Sequence, residues 1–181
     1  MNTNQATTAA RLLVLMLAGA CGLAQALELS PQGVGPLTGA TAFTQQAIQA
    51  ALPAGYVVKA GSASSEGEKR KVFQVFEGGK QVMRIEGNAA KVAQIVVESA
   101  AIATPRGVKV GAAYKTVYPD LRAACTPGSE EDSDTVFCEA GKLPSISYQF
   151  AGPLTASTDG MPPLKALAGW KISRIIWSAN P

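Results

Sequence analysis

Apolar positions along the chain change rhythm three times, and each change predicts a different element. Residues 12–20 read Leu-Leu-Val-Leu-Met-Leu-Ala-Gly-Ala, an unbroken apolar run behind a polar start and Arg11. Further on the pattern turns helical. Phe43, Ala47, Ile48, Ala51 and Leu52 fall on one face of a 3.6-residue period, and Pro53 and Gly55 then terminate that helix. From residue 56 the pattern becomes strand-like, with segments 56–60, 72–76, 82–86 and 92–98 rich in Val, Phe, Ile and Tyr and bounded by Gly, Ser and Asn. Met83 and Ile85 alternate with Arg84 and Glu86, which predicts one dry and one wet side for that strand. Gly78-Gly79 fits a two-residue hairpin turn that needs positive φ at both positions. A second short helix is expected to carry Val117, Leu121 and Ala124, with Thr116 as N-cap and Pro119 in its first turn, where a missing amide is tolerated. Segments 145–150 and 171–177 supply the last strands. The order predicts a single α+β domain: a mainly antiparallel β-sheet with two short helices packed on it.

The first apolar run is too short to cross a bilayer, which takes about 20 residues, and small residues follow it, as in secretory signals. Two processing sites compete. Ala24-Gln25-Ala26 is an A-x-A site whose use removes residues 1–26 and leaves a domain of 27–181. Ala18-Gly19-Ala20-Cys21 resembles a lipobox, with Ala18 where leucine is usual, and its use removes residues 1–20 and leaves an acylated Cys21 as a lipid anchor. Either way the chain is expected to be exported, to the periplasm or the periplasmic face of the outer membrane.

Export changes how the cysteines are read. Cys125 and Cys138 are the pair left in the folded part, and in an oxidising compartment such a pair predicts a disulfide. The spacing is not C-x-x-C, so a structural staple is expected rather than a redox centre. The closed loop is short, and its chain-entropy contribution is about 3 kcal/mol.

Composition narrows the chemistry. With 181 residues, 47% hydrophobic and 16% charged, the chain suits one folded domain rather than a disordered segment. Its net charge of +3 includes Arg11 of the leader, and the remaining near balance gives no polyanion-binding surface, so no nucleic-acid partner is expected. Histidine is absent, which removes Ser-His-Asp and Cys-His catalysis and histidine-ligated zinc. There is no S-x-x-K, no G-x-S-x-G and no G-x-x-x-x-G-K-[ST] sequence. Gly33, Gly35 and Gly39 miss the dinucleotide spacing, and Pro36 stands where amides would face a pyrophosphate. The run Glu130-Glu131-Asp132-Ser133-Asp134 lacks the glycine and glutamate of an EF-hand and reads as a solvated loop between the cysteines. Lys69-Arg70-Lys71 beside Glu66 and Glu68 reads as a polar edge. Trp170, Trp177, Tyr148 and Phe150 are core candidates that would line a groove only in a ligand carrier. No catalytic residue, metal ligand or cofactor site is assigned.

These segments taken together resemble a known family. Gln32-Gly33-Val34-Gly35 with Leu37-Thr38, Gln46-Ala47-Ile48 through Ala51-Leu52, and Gly107-Val108-Lys109-Val110-Gly111 occur in order with the two cysteines. Ile146-Ser147-Tyr148-Gln149-Phe150 with Gly152, and Trp170-Lys171 through Ser173 to Ile175-Ile176-Trp177, complete the set. In these the chain resembles the RpoE-regulated lipoprotein family of bacterial envelopes. The resemblance implies an envelope protein under extracytoplasmic stress control, usually lipidated, and it carries over no active site. The expected function is non-catalytic: binding an envelope component, whether protein, lipid or wall. The alternatives are a carboxylate-dependent hydrolase of a glycan or lipid, which thirteen acidic residues permit, and a carrier of an apolar ligand.

Overall fold

A computed structural model describes residues 26–65, 67–88, 90–121, 123–129, 132–153 and 161–179. The segment expected to be a signal, with Cys21 and Ala24, lies outside the described residues, as do Glu66, Glu130 and Glu131, while Ala26 begins them. The architecture is the expected α+β: mostly antiparallel sheet with short helices, in one domain.

The chain opens with a small antiparallel meander of β1 (Leu29–Ser30), β2 (Gly33–Val34) and β3 (Leu37–Thr38). Turn-forming residues predict an extended or looped entry here, and the extended form is taken: Leu29, Val34 and Leu37 are fully buried in the core. Gly33 has φ +149°, and a Cβ added there would sit 1.8 Å from the Leu37 carbonyl oxygen. Gly33→Ala is therefore expected to destabilise the protein by about 1–3 kcal/mol, visible as a lower urea midpoint with an unchanged slope.

Helix α1 (Gln45–Ala51) forms where the periodicity places it. Thr44 caps it by accepting from the Ala47 amide at 3.2 Å, and Leu52 turns extended ahead of Pro53, as a residue preceding proline tends to. Ile48 is the residue of this helix that is fully buried.

Eight strands follow: β4 (Tyr56–Ser65), β5 (Glu68–Glu77), β6 (Lys80–Gly87), β7 (Val92–Val97), β8 (Cys125–Pro127), β9 (Thr135–Glu139), β10 (Ile146–Ala151) and β11 (Lys171–Ser178). They form one sheet in the order β4-β5-β6-β7-β11-β10-β9-β8, antiparallel throughout. The turn at Gly78-Gly79 has φ of 55° and 81° and pairs Glu77 with Lys80, as the sequence predicts. Register shifts at Val75/Phe76, Glu86/Gly87 and Gln149/Phe150 bend the ladder.

The edge strand β4 is covered by side chains that imitate a neighbouring strand. Gln49 donates to the Tyr56 carbonyl and accepts from the Val58 amide, both at 2.9 Å, and Gln45 donates to the Val58 carbonyl at 2.9 Å. Helix α1 thus satisfies backbone groups that an open edge would present to another chain.

Three sequence expectations change. The second helix, α2, spans Tyr114–Val117, upstream of Thr116-capped geometry, with Ala113 as N-cap and the Tyr118 amide donating to the Tyr114 carbonyl. Pro119 ends it rather than starting it: Tyr118 is pushed to φ −125°, ψ 82°, and Leu121 takes φ +57°. A third helix, α3 (Leu164–Leu167), follows Pro163 and buries Leu167, so the described residues hold three short helices rather than two. Between the cysteines, moreover, lie the strand residues of β8 and β9, which a charge-rich loop conceals. Cys125 and Cys138 face one another across that pair and are disulfide-bonded.

One face of the large sheet meets the meander, the helices and the intervening loops in a single core. Trp170, Trp177, Tyr148 and Phe150 all belong to it. Tyr114 and Phe150 pack edge to face with centroids 5.0 Å apart, and Tyr118 donates its hydroxyl to the Glu139 carbonyl. The four tyrosines are all raised above the ordinary phenol range, each chiefly by burial. The negative Glu77 beside Tyr56 and the neighbouring phenols of Tyr148 and Tyr114 beside Tyr118 add to this. Because a raised phenol keeps its proton in the folded state while the unfolded chain sheds it, stability is full below about pH 10 and falls as pH rises beyond it. Alkaline titration should show tyrosinate absorbance appearing together with loss of the far-ultraviolet dichroism; tyrosinate rising near pH 10 with the fold intact would contradict the burial.

Candidate functional site

Alternation fixes what the opposite face of the sheet carries. Where Phe73, Val75, Met83 and Ile85 point to the core, Gln74, Arg84 and Glu86 point away, and the register sets Gln74 opposite Arg84 and Arg84 opposite Val96. The ladder continues through Ile176 to Ser147, and a parallel row sets Arg174 opposite Gln149 and Gln149 opposite Phe137. The sheet curls so that these rows line one cleft of about 550 Å³, walled by residues from β4 at one edge to β9 near the other. The hairpin of β4 and β5 contributes Ser62, Ser64 and Arg70 to its rim.

Two of the three arginines in this cleft are paired, while Arg70 at its rim makes no ion pair among the described residues. Arg84 lies 2.9 Å from Glu86 and 3.4 Å from Glu98, and Arg174 lies 3.4 Å from Asp132. Each pair is partly exposed, so its role is to fix a guanidinium in place more than to stabilise the fold. Gln81 donates to the second oxygen of Glu98, which fixes that carboxylate in turn.

Gln149 stands apart from this balance. It is 1% exposed and lies between Tyr148 and Phe150 in β10. Its amide nitrogen donates to Asp132 at 2.8 Å and to the Thr135 hydroxyl at 3.1 Å. Its carbonyl oxygen Oε1 is buried and has no hydrogen-bond partner among the described residues. A buried amide oxygen left unanswered costs about 1–3 kcal/mol, and native structures rarely retain one without a reason.

The residues singled out in the sequence fall in three places. Cys125 and Cys138 join β8 to β9 and sit beside a shallow depression on the same side as Phe137 and Ser147. Of the acidic run, Ser133 and Asp134 are exposed as a solvated loop would have them, while Asp132, partly exposed, also accepts from Gln149 and Arg174 at the cleft wall. Of the basic run, Arg70 lines the cleft instead of merely facing water at an edge. Trp170, Trp177, Tyr148 and Phe150, the residues a ligand carrier would have used, are packed in the core on the other face. Among the described residues no group of three or more His, Cys, Asp or Glu side chains is placed to hold a metal ion.

Sequence reasoning missed Gln149, Gln74, Gln94 and Arg174 as site residues. The signal was present, since each is a polar residue interrupting an apolar strand, and at Gln149 the interruption lies between Tyr148 and Phe150. Alternation alone marks such positions as wet without saying that the wet side is concave.

Known proteins share the chain's sequence and fold. A family described as Protein of unknown function (DUF1131) matches residues 19–179. The uncharacterized protein YfeY of Escherichia coli (strain K12) is 33% identical over 150 residues, which is 83% of this chain and 78% of that protein. The crystal structure of YfeY superposes with a TM-score of 0.71 at 32% identity, covering 83% of this chain and 99% of that one.

Proposed function

The chain belongs to the DUF1131 family of proteins of unknown function, and from that premise we propose that it is a non-catalytic envelope protein that binds an envelope component in the cleft on the outer face of its sheet. The cleft itself carries this reading, because Gln74, Arg84, Gln94 and Arg174 from separate strands converge on one concave wall. The matched ion pairs support it further. Glu86 and Glu98 share one guanidinium and Asp132 accepts from two donors, so the carboxylates around the cleft serve to hold other side chains still. That arrangement suits recognition better than proton transfer, where one carboxyl must be free to protonate a leaving group.

The location belongs to the same proposal. The leader and the pair Cys125–Cys138 support export, and the resemblance to envelope-stress lipoproteins favours acylation at Cys21 and residence at the periplasmic face of the outer membrane. The mass of the protein isolated from its host distinguishes an acylated Cys21 terminus from a free Leu27, and intact Met1 with two free thiols would overturn export altogether.

Binding and chemistry are separated by one experiment. Protein mixed with washed envelopes of its host is expected to sediment with them and to release no soluble fragments. Steady release of reducing ends or fatty acids, abolished by Glu86→Gln, would replace the binding reading with the hydrolase.

A further inference from the structure

We infer that the Arg70 end of the cleft is a phosphate site, which takes a phosphate monoester with a hydrophilic body; the inference rests on the cleft being the binding surface. At Arg70 the cleft continues into a depression of about 390 Å³ that shares Arg70, Glu86 and Gln94 with it. Past Asn88 and Ala93 this opens into another of about 300 Å³. Strand β5 supplies Arg70 and Lys71 to this trough, and the connection from β6 to β7 supplies Lys91. All three side chains are exposed, and none forms an ion pair among the described residues. Lys71 holds its ammonium 4.8 Å from the centre of the Phe73 ring, a contact that positions the charge without neutralising it. The one carboxylate among the residues lining the trough is Glu86, and it lies 2.9 Å from the guanidinium of Arg84. Three cations therefore face a single acid that is already held.

Charge and acceptor number select the guest. A carboxylate spreads one charge over two coplanar oxygens, and a single guanidinium answers it. A phosphate monoester carries close to two charges at neutral pH and offers three strong acceptor oxygens, which suits cations arriving from two separate parts of the chain. A neutral saccharide gains nothing from them, and a cation is repelled. A long polyanion needs basic groups along its whole length, whereas the cleft beyond this end pairs Arg84 and Arg174 with their own carboxylates. The rest of the guest is set by the adjoining lining. Gln74 and Gln94 present amides that a hydroxyl-bearing body can bond and that a hydrocarbon would desolvate at a cost. A soluble sugar phosphate and the headgroup of an anionic lipid share this chemistry.

Calorimetry on the full protein purified from its host tests the inference with glucose 1-phosphate, glucose, glucuronate and heparin, and flotation tests it with phosphatidylcholine vesicles with and without phosphatidic acid. Either glucose 1-phosphate or the phosphatidic-acid vesicles should bind, the first result assigning the site to a soluble ester and the second to a lipid headgroup. Affinity should fall at least about threefold between roughly 0.05 and 0.5 M salt. Arg70→Gln and Lys91→Gln should each weaken that binding by about tenfold, while Lys109→Gln, an exposed cation outside the trough, leaves it unchanged. Glucose or glucuronate binding as tightly as glucose 1-phosphate, heparin binding alone, or equal losses from Lys109→Gln and Arg70→Gln overturns the phosphate site. So does failure of every phosphate probe. The cleft reading is judged separately by Ile176→Trp, which fills the cleft floor away from the trough and whose folding a thermal melt establishes. If that variant no longer sediments with envelopes, the cleft remains the binding surface whatever the phosphate probes do; if it still sediments, the cleft reading itself falls.

Discussion

Trp177→Ala is expected to destabilise the protein by about 3–5 kcal/mol, among the largest effects of any single substitution in this fold. The side chain is buried in the last strand, and its indole nitrogen donates to the Pro31 carbonyl at 2.9 Å, tying the N-terminal meander to the far end of the chain. Two kinds of loss combine. The cavity left by the indole accounts for most of the cost, and the broken hydrogen bond frees the turn between β1 and β2. Trp177→Phe separates the two, because it keeps much of the apolar volume and removes only the donor; Pro31 still receives the Ser145 hydroxyl at 3.0 Å. That variant should lose about 1–2 kcal/mol. Urea denaturation of both variants checks the ranking, and an alanine variant within about 1 kcal/mol of the parent would show that the meander is not anchored through this residue.

The second large effect belongs to the disulfide. The double substitution Cys125→Ala and Cys138→Ala should lower stability by about 3 kcal/mol, the loop-closure contribution for a ring of this size. Loss should begin at one edge of the sheet, because β8 is three residues long and pairs with β9 alone. Hydrogen exchange of the β9 amides should accelerate more than that of β6 or β7 at the sheet centre. Reductant supplies the control: it should destabilise the parent by a similar amount and leave the double variant unchanged. Equal melting of the parent with and without reductant would show that the bridge contributes nothing to the folded state.

How much of this could be seen in the sequence depended on which force decided each element. Helix α1, strands β5 to β7 and the Gly78-Gly79 turn were legible because local preference and burial agree there: the apolar period, the cap at Thr44 and the positive φ of the glycines all favour what forms. Helix α2 was misplaced because Pro119 is compatible with a first turn or with a stop, and the burial of Tyr114 decides in favour of the stop. Strands β8 and β9 were hidden because their formation depends on pairing with each other and on β10 rather than on their own composition. The cleft was half legible. The wet side of β6 followed from Arg84 and Glu86 alternating with Met83 and Ile85, but concavity follows from strand order and register, which bring residues distant in sequence together. The buried carbonyl of Gln149 is a tertiary fact, invisible until β9 and Asp132 are set against β10.

The register shifts in β5, β6 and β10 have a consequence for how the cleft meets whatever enters it. They set its curvature in hydrogen-bonded main chain, and most of its floor stands on strands flanked by partners on both sides. Such a surface is preorganised by the sheet itself. A guest would give up its own freedom on docking and demand little reordering from the host, so selectivity rests on fit to a fixed shape rather than on induced closure.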